Sequence, residues 1–588
     1  MTMKYTRDIA ALGLSAMALS TGISDIPAAE SKPNVLMIIL DDMNDYIGVM
    51  GGHQQTLTPH IDRFAKQGVY FANAHSNCPV CSPSRASFMS GIAPWHSGCW
   101  GFKNPLQNPV LKASKTIAQY ARENGYTTAE TGKVLHIDIP SIWDDRGIPK
   151  SHGPYASDGV KMVQHPACPA TMAKFGALDS TFAPLSDIPV VKTTDGRIVK
   201  GWFDIHWGQK PRPFRYVTDD NRDKMTDEKS VEWFRKKIAG FQHHGLNKPF
   251  FIAVGIMRPH TPLVVPKKYF DKFPLDKIKL PVRQENDKAD CGKYVREHKS
   301  RGQLIYEALK AGYPTTEEGL KRYTQAYLAC VNFADDMVGQ ILQTLDSSKF
   351  RDNTIVILFS DHGYHVGEKD ELWKYTNWEE STRVPFIIRD PRYARNAGKR
   401  VDHAINLIDV FPTIQDLCGM TGTTRINKNG APLSGHSLRP FLENPQTTQW
   451  EGPDIAVTIT ASWKSTLPRQ QNLSARSRYF CYIHYADGSE ELYDHRNDPH
   501  EWHNLANDPR YTSIKAELKQ KLWKVVPEEI RKTATAIQSG KTTQAKSAAE
   551  AWKDKFFKLH PEADTNHDGV LSWPEYHAYK RREKEGKR

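Results

Sequence analysis

The stretch from Cys78 to Arg85 places a thiol and a guanidinium in one short motif, Cys-Pro-Val-Cys-Ser-Pro-Ser-Arg. Cys81, Pro83 and Arg85 have C-x-P-x-R spacing and stand just before a segment that reads as a helix. Three kinds of chemistry fit: Cys78 and Cys81 are a redox pair or half of a zinc site, Cys81 is a thiol nucleophile, or Cys81 is a target of modification. The six remaining cysteines offer no second ligand pair for zinc, and a chain of 588 residues does not resemble a small redox domain.

Two further motifs carry carboxylates at the ends of strand-like runs. The apolar run Asn34–Leu40 ends in Asp41-Asp42, and the run Thr354–Phe359 leads into Ser360-Asp361-His362-Gly363. Such continuous apolar runs are typical of strands buried in a parallel sheet, whose carboxyl ends form the ligand-binding edge. We therefore predict that these side chains meet at one divalent cation. The oxygen ligands favour Ca²⁺ or Mg²⁺, while His362 leaves other metals open.

Other polar residues follow strands in the same way. Lys133 and His136 lie on a loop after the strand-like run Tyr126–Thr131, so both can point at one site. The buried strand predicted at Pro249–Gly255 leads to His260, which two prolines hold in a rigid loop. Such patterns are also common in loops without a function. These residues therefore indicate an active site only in combination with the carboxylates.

The clearest local motif lies near the carboxyl end of the chain. Residues 564–575 match the calcium-loop pattern D-x-[DN]-x-[DN]-G-x5-E at every defined position. The predicted ligands are Asp564, Asn566, Asp568, the carbonyl group of Val570 and a bidentate Glu575. Such loops usually act in pairs, and this one stands alone in the sequence, so we predict one Ca²⁺ of modest affinity.

The composition is that of a globular protein with a basic surplus, a formal net charge of +12. This charge favours polyanionic partners, but no basic–aromatic platform or helix-turn-helix pattern supports nucleic acid. No run approaches the roughly 20 apolar residues that span a bilayer, so no stable membrane insertion is predicted. Lys4 and Arg7 precede an apolar run from Ile9 to Leu19, which predicts a signal peptide over residues 1–29 and export to the periplasm or the extracellular space.

The order of the elements predicts the architecture. Strand-like runs alternate with helical patterns such as 226–239 and 317–345, which indicates a doubly wound α/β domain over residues 31–440. Shorter strand-like runs and a helix near 513–525 predict a smaller C-terminal α+β subdomain over residues 441–530. A Lys/Thr/Ala/Ser-rich linker at 531–550 leads to a helical EF-hand segment at 551–588.

With these parts in place, the chain resembles the type I, formylglycine-dependent sulfatases and, within them, the iduronate-2-sulfatase-like group. The resemblance covers residues 34 to about 510. It rests on the motifs Leu40-Asp-Asp42, Cys81-Ser-Pro-Ser-Arg85, Gly132-Lys-Val-Leu-His136, Arg258-Pro-His260, Ser360-Asp-His-Gly363, Trp373-Lys-Tyr-Thr-Asn377 and Glu491-Leu-Tyr-Asp494. It implies an alkaline-phosphatase-like fold, with a mixed sheet flanked by helices.

The resemblance also implies a mechanism. A formylglycine-generating enzyme converts Cys81 to formylglycine, whose hydrate attacks the sulfate ester and forms a covalent sulfo-enzyme intermediate. The implied ligands of an active-site Ca²⁺ are Asp41, Asp42, the modified Cys81, Asp361 and His362, although the last ligand is often Asn in this family. Arg85, Lys133 and Lys374 surround the negative charge. His260, with Lys374, protonates the leaving alcohol, and His136 takes the proton whose removal releases sulfate.

The implied substrate is a sulfated sugar, in a polysaccharide or its fragments. Residues Trp95–Trp100 and the insertion at 140–225 are expected to line its pocket. One alternative is a phosphonate or phosphate ester hydrolase of the same superfamily, since some of those enzymes share the cysteine motif. A calcium-dependent binding protein with an unmodified Cys81 is disfavoured, because every expected active-site position is occupied. The sequence defines neither the sulfated position nor the oligomeric state.

Overall fold

The computed structural model describes residues 32–102, 104–204, 210–462, 467–526, 560–563 and 579. The predicted signal peptide at 1–29, the linker at 531–550 and the calcium-loop residues Asp564, Asn566, Asp568, Val570 and Glu575 lie outside these residues and stay predictions. Among the described residues, no helix is both long and apolar enough to cross a lipid bilayer.

One large sheet organises most of the chain. Its strands are β1 (Asn34–Asp41), β2 (Val69–Phe71), β3 (Thr127–Gly132), β4 (Asp145–Pro149), β5 (Phe250–Pro259), β6 (Thr354–Ser360), β7 (Phe386–Arg389) and β8 (Arg400–Val401). Their order across the sheet is β8-β2-β7-β6-β1-β5-β3-β4. Strands β6, β1, β5, β3 and β4 run parallel, whereas β7 pairs antiparallel with both β6 and β2. The sheet is therefore mixed. The two strands that lead into the carboxylate motifs, β1 and β6, lie at its centre.

Helices cover both faces of this sheet, because its central strand is apolar on both sides. In β1, Leu36, Ile38 and Leu40 pack in one core, and Val35, Met37 and Ile39 pack in the other. Helices α1 (Pro59–Gln67), α4 (Thr226–His244), α5 (Arg301–Ala311) and α6 (Thr316–Asp346) contribute to the first core. Helices α2 (Cys81–Ser90), α3 (Ile117–Glu123) and α7 (Val410–Leu417) contribute to the second. The predicted doubly wound arrangement is confirmed.

A second, antiparallel sheet follows. Its strands are β9 (Ala456–Thr460), β10 (Asn472–Arg476), β11 (Phe480–His484) and β12 (Glu490–Asp494), in that order. Helix α8 (Thr512–Val525) packs Leu518 and Leu522 into the same core as this sheet. Cys78, Val80 and Trp95 also lie in that core, so the second sheet supports the segment that precedes Cys81.

Shorter elements lie in the connections. The short strands are Ala74–His75, Ala156–Ser157, Met162–Val163, Val190–Lys192, Ile198–Lys200, Trp202–Asp204, Arg212–Phe214, His365–Val366, Leu372–Trp373 and Ile405–Asn406. The short α-helices are Pro94–Ser97, Pro109–Lys112, Gly176–Asp179, Lys267–Phe270, Lys293–Glu297, Glu379–Thr382 and Arg439–Glu443. The described part of the insertion at 140–225 is therefore built from short strands, short helices and turns.

The long elements agree with the sequence prediction to within a few residues, with one informative difference. The pattern at 226–239 predicts a helix that stops before Gly240, but α4 continues to His244. Gly240 is tolerated inside the helix at a modest cost. The helix ends at Gly245, whose φ of 77° is a conformation that favours glycine.

Candidate active site

The two central strands bring the predicted carboxylates together. Asp41 ends β1, and Asp361 directly follows β6, its parallel neighbour. After Asp41 the chain turns through Asp42, which has a φ of 64°, and the backbone N–H of Asp42 donates to Asp361 Oδ1 at 3.3 Å. The hydroxyl group of Tyr327, on α6, donates to the carbonyl oxygen of Asp42 at 2.7 Å. All three carboxylates are fully buried.

Cys81 is the first residue of α2 and points into this cluster. Its Sγ lies 3.5 Å from Asp41 Oδ1, 3.3 Å from His362 Nε2 and 3.3 Å from Lys374 Nζ. The helix starts at the motif as the sequence predicts, and every residue of α2 is buried. The N-terminus of a helix favours negative charge, so position 81 suits a group that develops an anion.

Cys78 does not share this environment. All eight cysteines are free, so no disulfide joins Cys78 to Cys81. The Sγ of Cys78 lies 3.7 Å from the carbonyl oxygen of Trp100, in the core under the second sheet. The structure thus gives no support to a redox pair, and it separates the roles of the two thiols.

Three basic side chains match the three carboxylates. Arg85 Nε donates to Asp361 Oδ2 at 2.8 Å, and its Nη2 lies 3.3 Å from Asp41 Oδ1. Lys133 Nζ forms an ion pair with Asp41 Oδ2, and Lys374 Nζ lies 2.5 Å from Asp42 Oδ1. Each carboxylate therefore has a basic partner before any ion or substrate binds.

These contacts shift the proton affinities of the group. Burial raises the pKa of the Asp41 carboxyl. The positive charges of Lys133, His260 and Arg85 together outweigh burial, so this pKa lies well below its ordinary value. Burial also raises the pKa of Cys81, and Lys133, Lys374 and His362 together bring it below that of an ordinary thiol. For Lys374, burial is outweighed by Asp42 and Cys81, which hold its pKa above the ordinary value and keep the amine charged.

The cluster fits a divalent cation. Asp41, Cys81, Asp361 and His362 each offer a ligand atom within 4.8 Å of the others, and Asp41, Asp42, Cys81 and His260 form an overlapping group. The Oδ2 of Asp42 is buried without a hydrogen-bond partner among the described residues. Burial lowers the pKa of His362, but the nearby Asp361 and Cys81 outweigh burial and raise this pKa to about 9. Groups that stabilise a proton at this imidazole would equally stabilise a metal ion there, leaving a surplus positive charge for an anionic substrate.

The two predicted acid–base histidines lie beside the cluster. His260 Nε2 is 3.9 Å from Asp42 Oδ2, and its Nδ1 lies 2.6 Å from the carbonyl oxygen of Thr261, to which it can donate. His136 is partly buried, and its Nδ1 has no hydrogen-bond partner in the described part of the chain. Burial and Lys133 lower the pKa of His136 to about 3, so its imidazole is neutral near neutral pH.

The expected sugar-binding role of Trp95–Trp100 is not supported by their placement. Trp95 and Trp100 are buried and pack in the core beneath the second sheet. Three further residues hold the site, and none is predicted from the sequence to do so. They are Tyr327; Ser84, whose hydroxyl donates to the carbonyl oxygen of Asp361; and Arg258, which connects two loops. Arg258 stands in a quoted motif, but no local pattern reveals its distant partners.

Comparison with known proteins places this fold and site in a family. The Sulfatase family model matches residues 33–420, and a model described as "N-sulphoglucosamine sulphohydrolase, C-terminal" matches residues 367–528. A protein named "Sulfatase" from Formosa agariphila is 30% identical over 492 residues, which cover 82% of this chain and 84% of that protein. The iduronate 2-sulfatase of Mus musculus is 26% identical over 568 residues, 86% of this chain and 96% of that one. The solved phosphonate monoester hydrolase of Agrobacterium radiobacter has a TM-score of 0.58 at 21% identity, and the match covers 84% of this chain and 95% of that chain.

The mixed sheet flanked by helices is an alkaline-phosphatase-like fold. More narrowly, the chain belongs to the Sulfatase family, because the family model covers most of its length and a relative of 30% identity covers 82% of it. The protein is therefore a sulfuric ester hydrolase. Members of this family generally use a metal ion and a formylglycine, and the buried carboxylates beside Cys81 provide a possible site for such an ion.

Proposed function

We propose that this sulfatase hydrolyses the sulfate ester of a sulfated sugar, with a formylglycine made from Cys81 and a Ca²⁺ held by Asp41, Asp42, Asp361 and His362. The single observation that carries this proposal is the environment of Cys81 Sγ, which touches a carboxylate, an imidazole and a lysine amine within 3.5 Å in a buried site. The hydrated aldehyde would supply the nucleophile, and a cation held by these residues would supply Lewis-acid stabilisation of the sulfate group.

Arg85, Lys133 and Lys374 bind the charge of the sulfate group. Their side chains are buried and already ordered by ion pairs to Asp361, Asp41 and Asp42. Donors that are fixed before the reaction need no reorganisation when charge develops, and this preorganisation is usually the largest electrostatic contribution to catalysis.

His260 and Lys374 supply the proton for the leaving alcohol. Burial, Lys374 and Lys133 hold the pKa of His260 well below its ordinary value in the absence of substrate. A sulfate anion beside Nε2 stabilises the imidazolium form, so proton uptake accompanies substrate binding. The charged Lys374 amine is the second donor at the same oxygen, and His136, which is neutral, accepts a proton in the step that releases sulfate.

A sulfated sugar is the substrate that the comparisons support. The relative from Mus musculus is named for a sulfated sugar acid, iduronate, and this chain covers 96% of its length. The formal net charge of +12 favours an anionic polymer or its fragments through long-range attraction.

The direct test is sulfate release from a panel of monosulfated sugars, with aryl sulfate as a general substrate. We expect turnover of at least one sugar sulfate, loss of turnover on chelation and recovery with Ca²⁺. Turnover that survives complete removal of the metal, verified by elemental analysis, would contradict the metal assignment. Turnover of aryl sulfate without turnover of any sugar sulfate would contradict the substrate assignment.

A second candidate function is hydrolysis of phosphonate or phosphate esters. The observation in its favour is the fold similarity to the phosphonate monoester hydrolase. Comparing kcat/KM on aryl sulfate and aryl phosphonate distinguishes the two. We expect the sulfate to be preferred, and a preference for the phosphonate would establish the second candidate.

We further propose the cellular setting that the sequence implies. The segment at 1–29 directs export to the periplasm or the extracellular space, and a formylglycine-generating enzyme modifies Cys81 during maturation. The loop at 564–575 binds a second Ca²⁺ through Asp564, Asn566, Asp568, Val570 and Glu575. Edman sequencing of the exported protein tests the first statement, since an N-terminus that retains Met1 would contradict it.

A further inference from the structure

His152 lies beside the active site but has no role in the mechanism above. It follows β4 in the insertion at 140–225. Its ring centroid is 4.8 Å from that of His260, and the two rings are tilted by 55°. His260 Nε2 is 3.9 Å from Asp42 Oδ2, so His152 lies next to the histidine that borders the carboxylate cluster and is proposed to serve the leaving group.

The backbone around His152 is fixed on both sides. The hydroxyl group of Ser151 donates to Asp204 Oδ1 at 2.9 Å. Tyr155 and Phe203 exchange two backbone hydrogen bonds of 2.9 and 2.8 Å. The loop that carries His152 is thus joined to a neighbouring strand of the insertion before and after this residue.

Arg258 connects this loop to the loop of His260. Its guanidinium is 1% exposed and donates to the carbonyl oxygens of His152 at 3.0 Å, Gly153 at 3.3 Å, His260 at 3.3 Å and Val264 at 3.1 Å. The guanidinium group is rigid and planar and binds carbonyl groups of both loops. It therefore fixes the distance between the imidazoles of His152 and His260. Arg258 is therefore a positioning residue for both histidines.

The ring nitrogens of His152 are available to a ligand. The residue is only partly buried, and neither ring nitrogen has a hydrogen-bond partner among the described residues. Burial, Lys133 and Arg258 hold its pKa well below the ordinary value, so the ring is neutral and offers one donor and one acceptor. A hydroxyl group, which is also one donor and an acceptor, is the matching partner.

We propose that His152 is a specificity residue that binds the sugar hydroxyl next to the sulfated carbon, with Arg258 holding it in place. His260 serves the ester oxygen, so the ring beside it reaches a group on the adjacent carbon. This inference rests on the proposed sugar substrate. A site built to bind a hydroxyl discriminates against the analogue that lacks it, because the polar group is then left without a partner.

The test uses the full-length matured enzyme and methyl pyranosides with one sulfate at position 2, 3 or 4, each of which has a hydroxyl on a neighbouring ring carbon. Each is paired with a counterpart that lacks the hydroxyl on the carbon next to the sulfate. For the wild type we expect kcat/KM to be about tenfold higher with the hydroxyl present. In His152→Ala this ratio should fall to about one, and His152→Gln, which keeps a donor and an acceptor, should restore part of it. His503→Ala, at an exposed histidine, should keep the wild-type ratio.

The outcomes separate the two proposals. A wild-type ratio near ten that persists in His152→Ala would overturn the role of His152 while leaving the sugar substrate intact. If His152→Ala lowers kcat/KM equally for both members of a pair, the ratio is unchanged. That result would show a structural role for His152 and would also overturn its proposed role in specificity. A wild type that hydrolyses aryl sulfate but none of the glycosides would overturn the sugar substrate and, with it, this contact.

Discussion

At the scale of single residues, Cys81 differs from the other thiols in its electrostatic surroundings. Burial raises the pKa of Cys78, Cys168, Cys291, Cys330, Cys418 and Cys481. Cys81 is equally buried, yet its pKa is lowered because Lys133, Lys374 and His362 face it. Perturbed thiols in basic surroundings are the reactive ones.

Replacing Cys81 should therefore remove the chemistry without unfolding the protein. We expect Cys81→Ala to lower kcat for sulfate release by at least about 10³-fold, as loss of a nucleophile does in other hydrolases. The matched control is Cys78→Ala, which should stay within a few-fold of the wild type, because Cys78 packs in the core. Comparable losses in the two variants would refute the distinction between these cysteines.

Most of the candidate site is predictable from single residues, since Asp41, Asp361 and Lys133 follow apolar strands and Cys81 starts a helix. The sequence predicts these positions because strand ends in parallel sheets converge at one edge. It does not predict His152 or the contacts of Arg258. These residues are more than 100 positions apart and join through backbone carbonyls, which carry no sequence signal.

At the scale of elements, the loops and helices that hold the site depend on a few buried polar groups. Arg258 satisfies four carbonyl oxygens from two loops. Asp227, on α4, accepts the backbone N–H groups of Met257 at 2.8 Å and Arg258 at 3.1 Å. The end of β5 is therefore fixed from two sides.

Arg258→Met should loosen this end of β5. It keeps much of the side-chain volume but leaves four carbonyl groups without their donor, which costs about 3 kcal/mol of stability. We expect a lower thermal midpoint and a kcat reduced at least tenfold, because His260 loses its fixed position. Arg197→Met, at an exposed arginine, should change neither quantity. An Arg258→Met variant with wild-type kcat would contradict the positioning role.

The docking of α1 on α6 should depend on pH. Asp335, on α6, accepts the backbone N–H groups of His60 at 3.2 Å and Ile61 at 2.8 Å, and burial raises its pKa from 3.8 to about 7. Between these values the folded protein holds a proton that the unfolded chain releases. The contribution of Asp335 to stability therefore falls as pH rises through this window, by up to about 4 kcal/mol.

Thermal midpoints of the wild type and Asp335→Asn from pH 5 to pH 8 test this sign. Asparagine cannot titrate, so the stability advantage of the wild type over the variant should shrink as the pH rises. An advantage that stays constant, or grows with pH, would contradict the raised pKa.

The long helices can be predicted from the sequence, whereas the insertion at 140–225 cannot. The long helices α4 and α6 show their periodicity, and their bounds are predicted within a few residues. The insertion at 140–225 shows no periodicity, because its strands have only two to five residues. Except for β4, which joins the large sheet, they pair locally or through isolated contacts. A second core, formed with a distant sheet, buries the rings of Trp95 and Trp100, and no local sequence pattern indicates that packing.

At the scale of the whole molecule, the candidate active-site cluster and the predicted calcium loop at 564–575 are separate in sequence. The cluster draws its residues from positions 41–374, and the Sulfatase family model ends at residue 420. The calcium loop contributes no residue to that range.

Removing residues 551–588 should therefore spare the chemistry. We expect the shortened protein to keep kcat/KM on aryl sulfate within about twofold and to bind one Ca²⁺ fewer, measured by calorimetry and elemental analysis. In the full chain, Glu575→Gln should weaken the same Ca²⁺ without altering kcat. A truncated protein that stays folded but loses activity would show that the tail takes part in catalysis.

The central claim is that Cys81 becomes the aldehyde that performs the reaction. Peptide mass spectrometry of the active enzyme tests it directly, with turnover measured on the same sample. We expect the peptide containing Cys81 to have the mass of a residue in which the thiol carbon has become an aldehyde, and the modified fraction to scale with kcat. Full activity in a sample whose Cys81 peptide carries only an unmodified thiol would contradict it.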